Sequence, residues 1–407
     1  MPLLSAELAL IEDLIGSEGE LVYSREPFSK FLSVSIHLTL RCPHNCAHCY
    51  WSRKSKNLPP MTEQQLITII EKINAQSSIT HVSLNGGEPF TQPKLINLAL
   101  ERLNVPYLGI LTNGFWATDE HKTDSILREL LKHISSTQTL IIQLSLNRFI
   151  LNLPGENDPH KVPIENLVKI IKSALNHGCK IRIDLAAFDQ LINPDPVLSK
   201  LESLLKEQYL PLPRINSNFI EFIGEARNLD PHQFEQRAFE GLKTAYDFIA
   251  IFPDGQTTVD NNFFDIINTG NIYKANFDTI KRSINTHPLL YFLFINAYPE
   301  HKLLNMVSHF DPTIKNKLKN IISEPTKMRV LFEDPIIKYC LTRLAFLDLV
   351  KNGKIAVLDP AKHTMLEKIT TEQLLSFLKQ KNQIREMQGQ TKMWGHPLNC
   401  DSLDKSQ

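Results

Sequence analysis

The stretch Arg41-Cys42-Pro43-His44-Asn45-Cys46-Ala47-His48-Cys49-Tyr50 decides how the rest of the chain is read. Three of the six cysteines fall within it, spaced C-x3-C-x2-C, directly after the apolar-alternating run Val34-Ser35-Ile36-His37-Leu38-Thr39-Leu40. Thiolates packed this densely on a short loop repel one another unless a cation holds them, so the stretch reads as a metal site. Ligand number narrows the metal. A structural zinc site closes with four protein ligands and an electron-transfer cluster with four cysteines, yet the next cysteine here is Cys179, far along the chain. Three thiolates on a cubane of four irons leave one iron open to a small-molecule ligand. Two other readings stand beside this one. His44 or His48 would complete a zinc site, and a disulfide framework would staple the loop, although a chain of this length buries a core without staples.

Working outward from the loop, strands and helices alternate. Apolar positions over 3–15 suit a short helix ended by Gly16 and Gly19, and a strand over 34–40 feeds the cysteines. Thr62 with Gln65 three residues on forms a capping box, and Leu66, Ile69, Ile70 and Ile73 make one apolar helical face. A second strand over 79–84 ends at Asn85-Gly86-Gly87-Glu88-Pro89, and a helix over 93–103 follows. A third strand over 107–112 ends at Asn113-Gly114, with a helix near 123–134 behind it. The fourth, 140–147, closes on Ser145-Leu146-Asn147. Pro163 suits the first turn of a helix that Gly178 stops. A fifth strand over 180–187, a helix over 196–208 and a sixth strand over 218–223 complete the series. Six such alternations predict a parallel sheet. In parallel α/β barrels functional residues gather at the C-terminal ends of strands, and all four motifs stand there, so they open onto one rim.

The cysteine spacing followed by Gly86-Gly87-Glu88-Pro89 resembles the radical S-adenosylmethionine (SAM) superfamily, whose motifs are CxxxCxxC, with an aromatic beside the last cysteine, and GGEP. Here that aromatic is Tyr50, after Cys49, and His48 precedes it. The resemblance implies an α/β fold, a partial (β/α)6 TIM-like barrel carrying a C-terminal hairpin and a mainly helical extension. It implies that Cys42, Cys46 and Cys49 bind one 4Fe-4S cluster and that SAM chelates the open iron. Reductive cleavage of SAM then gives a 5′-deoxyadenosyl radical that abstracts hydrogen from substrate. Gly86 and Gly87 allow close approach of a backbone whose carbonyls accept from the SAM ammonium group; Glu88 is suited to ordering this region and to holding the ammonium electrostatically, and Pro89 completes the cofactor-binding motif. Tyr50, Asn113, Ser145, Asn147 and Arg182 are the further cofactor candidates; many relatives have aspartate where Asn147 stands. Asn113-Gly114 is equally an ordinary turn, and Arg182 with Asp184 equally a paired polar layer on one strand face. Gly224-Glu225-Ala226-Arg227 resembles a Gly-x-Ala turn of peptide-modifying relatives. An electron donor such as flavodoxin or ferredoxin is implied as a partner.

Farther on, Phe252-Pro253-Asp254-Gly255-Gln256-Thr257-Thr258-Val259 and Thr269-Gly270-Asn271-Ile272 resemble the start of a SPASM or twitch extension. There a cluster-binding cysteine follows the hairpin; here Thr257, Thr258, Val259 and Asp260 occupy that region. The expected organisation is an N-terminal helical segment over 1–32, the barrel core over 33–228, the hairpin region over 229–285, a helical appendage over 286–388 and a mobile tail over 389–407.

Composition bounds the partners. Lys+Arg and Asp+Glu are equal at 44 each in 407 residues, and the pI is about 7.2. No basic excess exists to bind nucleic acid or an anionic membrane surface. The apolar run Leu289–Ile295 is too short to span a bilayer, and the N-terminus lacks a basic signal-peptide region, so a cytoplasmic location is expected. Cys179, Cys340 and Cys400 are scattered and read as reduced packing or surface thiols. Two substrate classes stay open: a precursor peptide, from the hairpin, and a small metabolite such as a sugar or nucleoside, from the missing second cluster. A non-catalytic iron–sulfur or zinc scaffold is the competing class, and GGEP argues against it.

Overall fold

Strand β1 (Ser33–Thr39) is buried on both faces. Val34, Ile36, Leu38 and Leu40 point to one side and Ser35, His37 and Thr39 to the other, all at 1 % exposure or less. A strand covered on both sides belongs in the middle of a parallel sheet, and β1 pairs in parallel with β2 (His81–Gly86) on one edge. The computed structural model describes residues 31–49, 51, 58–188, 196–218, 248–259 and 269–285. The helix expected over 3–15, Tyr50, the Gly224–Arg227 turn, the appendage over 286–388 and the tail lie outside these residues.

The remaining parallel strands follow in chain order: β3 (Tyr107–Thr112), β4 (Thr139–Leu146), then, after two short strands, β7 (Ile181–Phe188) and β8 (Arg214–Asn218). Helices α1 (Glu63–Asn74), α2 (Pro93–Arg102), α3 (Glu120–Lys132), α4 (Glu165–Asn176) and α5 (Pro196–Glu207) connect them. This is the α/β architecture expected, six parallel strands each leading through a crossover to the next. The capping box forms as expected: Gln65 N–H donates to Thr62 Oγ1 at 3.2 Å and Thr62 N–H to Gln65 Oε1 at 2.8 Å. The face of α1 buried against the sheet is Leu66, Ile69, Ile70 and Ile73.

Two expectations move. Pro163 is not in the first turn of α4. It sits in β6 (Val162–Pro163), paired with β5 (Leu151–Asn152), and the helix begins at Glu165. Proline tolerates an edge pairing as readily as a helix start, so its φ alone does not choose. The sixth strand runs over Arg214–Asn218, ahead of the expected 218–223, whose last five residues are outside the described set. Ile215 is the only apolar residue of β8, so the denser apolar run just after it drew the expectation.

The hairpin forms from β9 (Phe248–Ile251) and β10 (Gln256–Thr258), with Gly255 at φ +82° in the turn, and β11 (Gly270–Asn271) pairs with β10. It is not a separate sheet. β9 lies parallel to β1, Ile36 beside Ile251, so the barrel sheet continues into the hairpin in the order β11-β10-β9-β1-β2-β3-β4-β7-β8. The described residues through Lys281 accordingly belong to one compact unit. Lys72 of α1 donates from Nζ to the carbonyls of Ile272 and Ala275, tying the segment that leads into α6 (Phe277–Asn285) to the barrel's helical layer. Among the described residues no helix is long and apolar enough to cross a membrane.

Candidate active site

The cysteine loop leaves β1 and meets the turn after β2 backbone to backbone. Gly87 N–H donates to Thr39 O at 2.7 Å and Glu88 N–H to Arg41 O at 3.0 Å. Gly86 has φ +147°, where a side chain is strained, and a Cβ there would stand 2.0 Å from Thr39 O. A Cβ on Gly87 would stand 2.3 Å from Arg41 O and 2.5 Å from Leu40 O. The close approach these glycines permit is thus to the start of the cysteine loop. Trp51 Nε1–H, two residues past Cys49, donates to Gly86 O at 3.1 Å.

Glu88 is fully enclosed and works between strands. Its carboxylate accepts from Phe90 N–H at 3.1 Å, from Thr112 Oγ1–H at 2.9 Å and from Asn113 N–H at 2.8 Å, joining the ends of β2 and β3. Pro89 opens a 3₁₀ turn, Pro89–Thr91, for which Glu88 is the cap. Burial pushes the Glu88 carboxyl up from 4.5 to about 7, against the pull of those three hydrogen bonds. Between those values the folded protein holds a proton that the unfolded chain releases. The stabilisation is therefore full below pH 4.5 and is lost as pH rises through 7. Over that window it amounts to about 3 kcal/mol. The stability of wild type minus that of Glu88→Gln, from denaturant unfolding, is expected to be larger near pH 5 than near pH 8 by roughly that amount. An unchanging difference would mean that the buried carboxyl stays ionised throughout.

Asn113 reaches the first cysteine. Its Nδ2 lies 3.8 Å from Cys42 Sγ while Oδ1 accepts from Phe115 N–H at 2.9 Å. His44 N–H also points at Cys42 Sγ, at 3.4 Å. All three cysteines are half-buried while Arg41 before them and Pro43, Asn45 and Ala47 between them are exposed, so the loop turns its thiols inward. Rings from neighbouring turns support it: Phe115 against His44 at 6.2 Å and Phe149 against His48 at 5.3 Å between centroids. His44 Nδ1–H donates to His160 O at 2.8 Å, linking the loop to the excursion between β5 and β6. On its other flank Trp51 packs edge-on to Phe252 and His37, and His37 stacks on Phe252 at 4.7 Å.

Ser145 is half-buried on the inner face of β4. Asn147 is buried, and its Oδ1 accepts from Phe149 N–H at 3.1 Å, starting the turn that carries Phe149 to the loop. Arg182 donates to Asp184 Oδ2 at 3.0 Å on the inner face of β7. The structure therefore brings Cys42, Cys46, Cys49, Gly86, Gly87, Glu88, Pro89 and Asn113 into one bonded assembly, with Ser145 and Asn147 at the end of β4 and Arg182 deeper on β7. Sequence reading gave no site role to Trp51, Phe252, Phe115 and Phe149, whereas Thr112 stands in the motif that closes the third strand. The aromatic two residues after the last cysteine was the one available signal for Trp51.

The family model described as the radical SAM superfamily matches residues 36–186, from β1 to β7. These residues form a radical SAM domain. The chain is 24 % identical over 120 residues to "Putative peptide biosynthesis protein YydG" of Bacillus subtilis, covering 29 % of this chain and 36 % of that one. It is 26 % identical over 156 residues to "S-adenosylmethionine-dependent nucleotide dehydratase RSAD2" of Danio rerio, covering 36 % and 40 %. It is 30 % identical over 105 residues to "PqqA peptide cyclase" of Gluconobacter oxydans, covering 25 % and 29 %. The chain thus spans well under half the length of these curated relatives. The radical SAM domain contains every cofactor candidate named from sequence, and the hairpin strand β9 that flanks it lies beyond the match.

Beyond the matched residues, the hairpin carries a buried hydroxyl pair. Thr257 Oγ1 and Thr269 Oγ1 are 2.9 Å apart, Thr257 Oγ1 also donates to Gly270 O at 3.1 Å, and both residues are buried. The hairpin closes on its own hydrogen bonds.

Proposed function

We propose that this chain is a radical SAM enzyme whose Cys42, Cys46 and Cys49 hold one 4Fe-4S cluster and whose substrate is a peptide. The observation that carries the cofactor reading is the N–H donors aimed at a half-buried sulfur, from His44 and Asn113 to Cys42. Such donors favour the thiolate over the thiol and tune a cluster's ligand.

The group supplies, when reduced and bound with SAM, a 5′-deoxyadenosyl radical that takes hydrogen from the substrate. The chain's own residues do the rest. Gly86 and Gly87 let the turn after β2 pack on the cysteine loop, and Trp51 holds the Gly86 carbonyl. Glu88 locks the ends of β2 and β3 together, and Asn113 stabilises the Cys42 sulfur. Ser145 and Asn147 stand at the end of β4, where a ribose or carboxylate is within reach of the rim. An electron donor of the flavodoxin or ferredoxin type completes the system.

The peptide reading is supported by the hairpin resemblance and by the names of two relatives, "Putative peptide biosynthesis protein YydG" and "PqqA peptide cyclase". A nucleotide is the second reading, favoured by the match to the nucleotide dehydratase. Because residues 229–285 contain no cysteine for a second cluster, the proposed chemistry is redox-neutral, such as an epimerisation or rearrangement. Deuterium tracing separates the two substrates. Label from a perdeuterated peptide is expected in 5′-deoxyadenosine; label arriving only from nucleotides would overturn the peptide reading.

A further inference from the structure

The inner face of β7 carries a carboxylate with an acceptor to spare. Asp184 is 3 % exposed. Its Oδ2 accepts from Arg182 Nη2 at 3.0 Å and from Asn216 Nδ2 at 3.4 Å. Its Oδ1 is buried and has no hydrogen-bond partner among the described residues. A buried carboxylate oxygen without a donor costs stability, and native proteins keep few of them.

A second such oxygen lies on the same row. Leu84 pairs with Ile110, Leu111 with Gln143 and Gln143 with Asp184, so Asn85 and Asp184 occupy one level of the sheet across β2, β3, β4 and β7. Asn85 commits its amide Nδ2 to Ser35 Oγ at 2.6 Å and Ser83 Oγ at 3.2 Å, and its buried Oδ1 has no partner among the described residues. Ser145 pairs with Ala186, one inward-facing position nearer the rim than Gln143 and Asp184. Ala186 is small, so Asp184 is overhung by little on its own strand.

We infer that Asp184 is a specificity residue, and that its Oδ1 accepts from a neutral donor of the peptide substrate, a hydroxyl or carboxamide side chain. This rests on the peptide reading of the same barrel. Charge selects the class. Arg182 already neutralises the carboxylate, so an incoming ammonium group would meet the guanidinium as well, and an incoming carboxylate would meet Asp184 itself. An apolar side chain would leave Asp184 Oδ1 unpaired, and a site built to hydrogen-bond a substrate discriminates strongly against analogues that lack the donor.

The test uses the reconstituted full chain with SAM and a set of capped pentapeptides, Ac-Ala-Ala-X-Ala-Ala-NH2, in which X is Asn, Gln, Ser, Thr, Leu, Lys or Glu. Peptide retained after rapid gel filtration is quantified by mass spectrometry, and 5′-deoxyadenosine is measured in parallel. Peptides with Asn, Gln, Ser or Thr are expected to be retained at least about tenfold better than those with Leu, Lys or Glu. Asp184→Asn, which puts an N–H where the acceptor stood, is expected to erase that preference with the melting temperature and iron content retained. Ala186→Leu, which fills the space above Asp184 without altering it, is expected to abolish retention of all of them. It serves as the second variant if Asp184→Asn fails to fold. Equal retention of every peptide, no retention of any, or an unaltered preference in either folded variant overturns the inference. If the radical reading alone is wrong, no 5′-deoxyadenosine forms while the preference and its loss persist.

Discussion

Anaerobic reconstitution of Cys42→Ala, Cys46→Ala or Cys49→Ala with iron and sulfide is expected to give protein without the broad cluster absorbance and without 5′-deoxyadenosine above background. The three thiols come from a single loop, and the next cysteine in the sequence is Cys179. Three ligands are the minimum that holds a cubane while leaving an iron open, so the third cannot be spared. The loss should be all-or-none for iron content, and SAM cleavage should fall with it. Tightly bound zinc in the wild type, with no iron-dependent activity, would defeat the cluster reading.

The second large effect falls on Gly87→Val. Reading GGEP from sequence leads to weaker SAM binding with the cluster still assembled, because the glycines were assigned to the ammonium end of the cofactor. The structure changes that expectation. A Cβ on Gly87 lands 2.3–2.5 Å from the backbone atoms of Leu40 and Arg41, immediately before Cys42. Backbone cannot rotate away as a flexible side chain does, so the cysteine loop itself must move. Overpacking of this kind costs about 1–3 kcal/mol or more, and it shifts the ligands. Iron content and SAM affinity are therefore expected to fall together. Full iron content with only SAM binding lost would restore the narrower role for Gly87.

Trp51 and Phe252 connect this loop to the hairpin. Leu40, Trp51, Ala250 and Phe252 form one buried apolar cluster, with Cys49 packed against it. The hairpin thus supports the cysteine loop from the β1 side while Glu88 and Asn113 support it from the β3 side. The hairpin, with its Thr257–Thr269 hydroxyl pair, thus holds a buttressing position.

The sequence by itself determined the local parts. C-x3-C-x2-C after an apolar strand, GGEP after the next, the Thr62 capping box and the face Leu66, Ile69, Ile70 and Ile73 are all written in short-range pattern. Capping and periodicity act over one or two turns, so they survive in a bare sequence. The order of the parallel strands followed too, because each crossover hands the chain to its neighbour. Tertiary structure alone decided the rest. That β9 docks beside β1 depends on Ala250 and Phe252 fitting against Leu40 and Trp51, some two hundred residues away, and no local signal records such a pairing. The partners of Glu88 come from a different strand, and the spare oxygen of Asp184 exists only because Arg182 and Asn216 converge on the other one. Residue type announces that a carboxylate is present; only the packed sheet settles which of its lone pairs are used, since burial removes the water that would otherwise satisfy them.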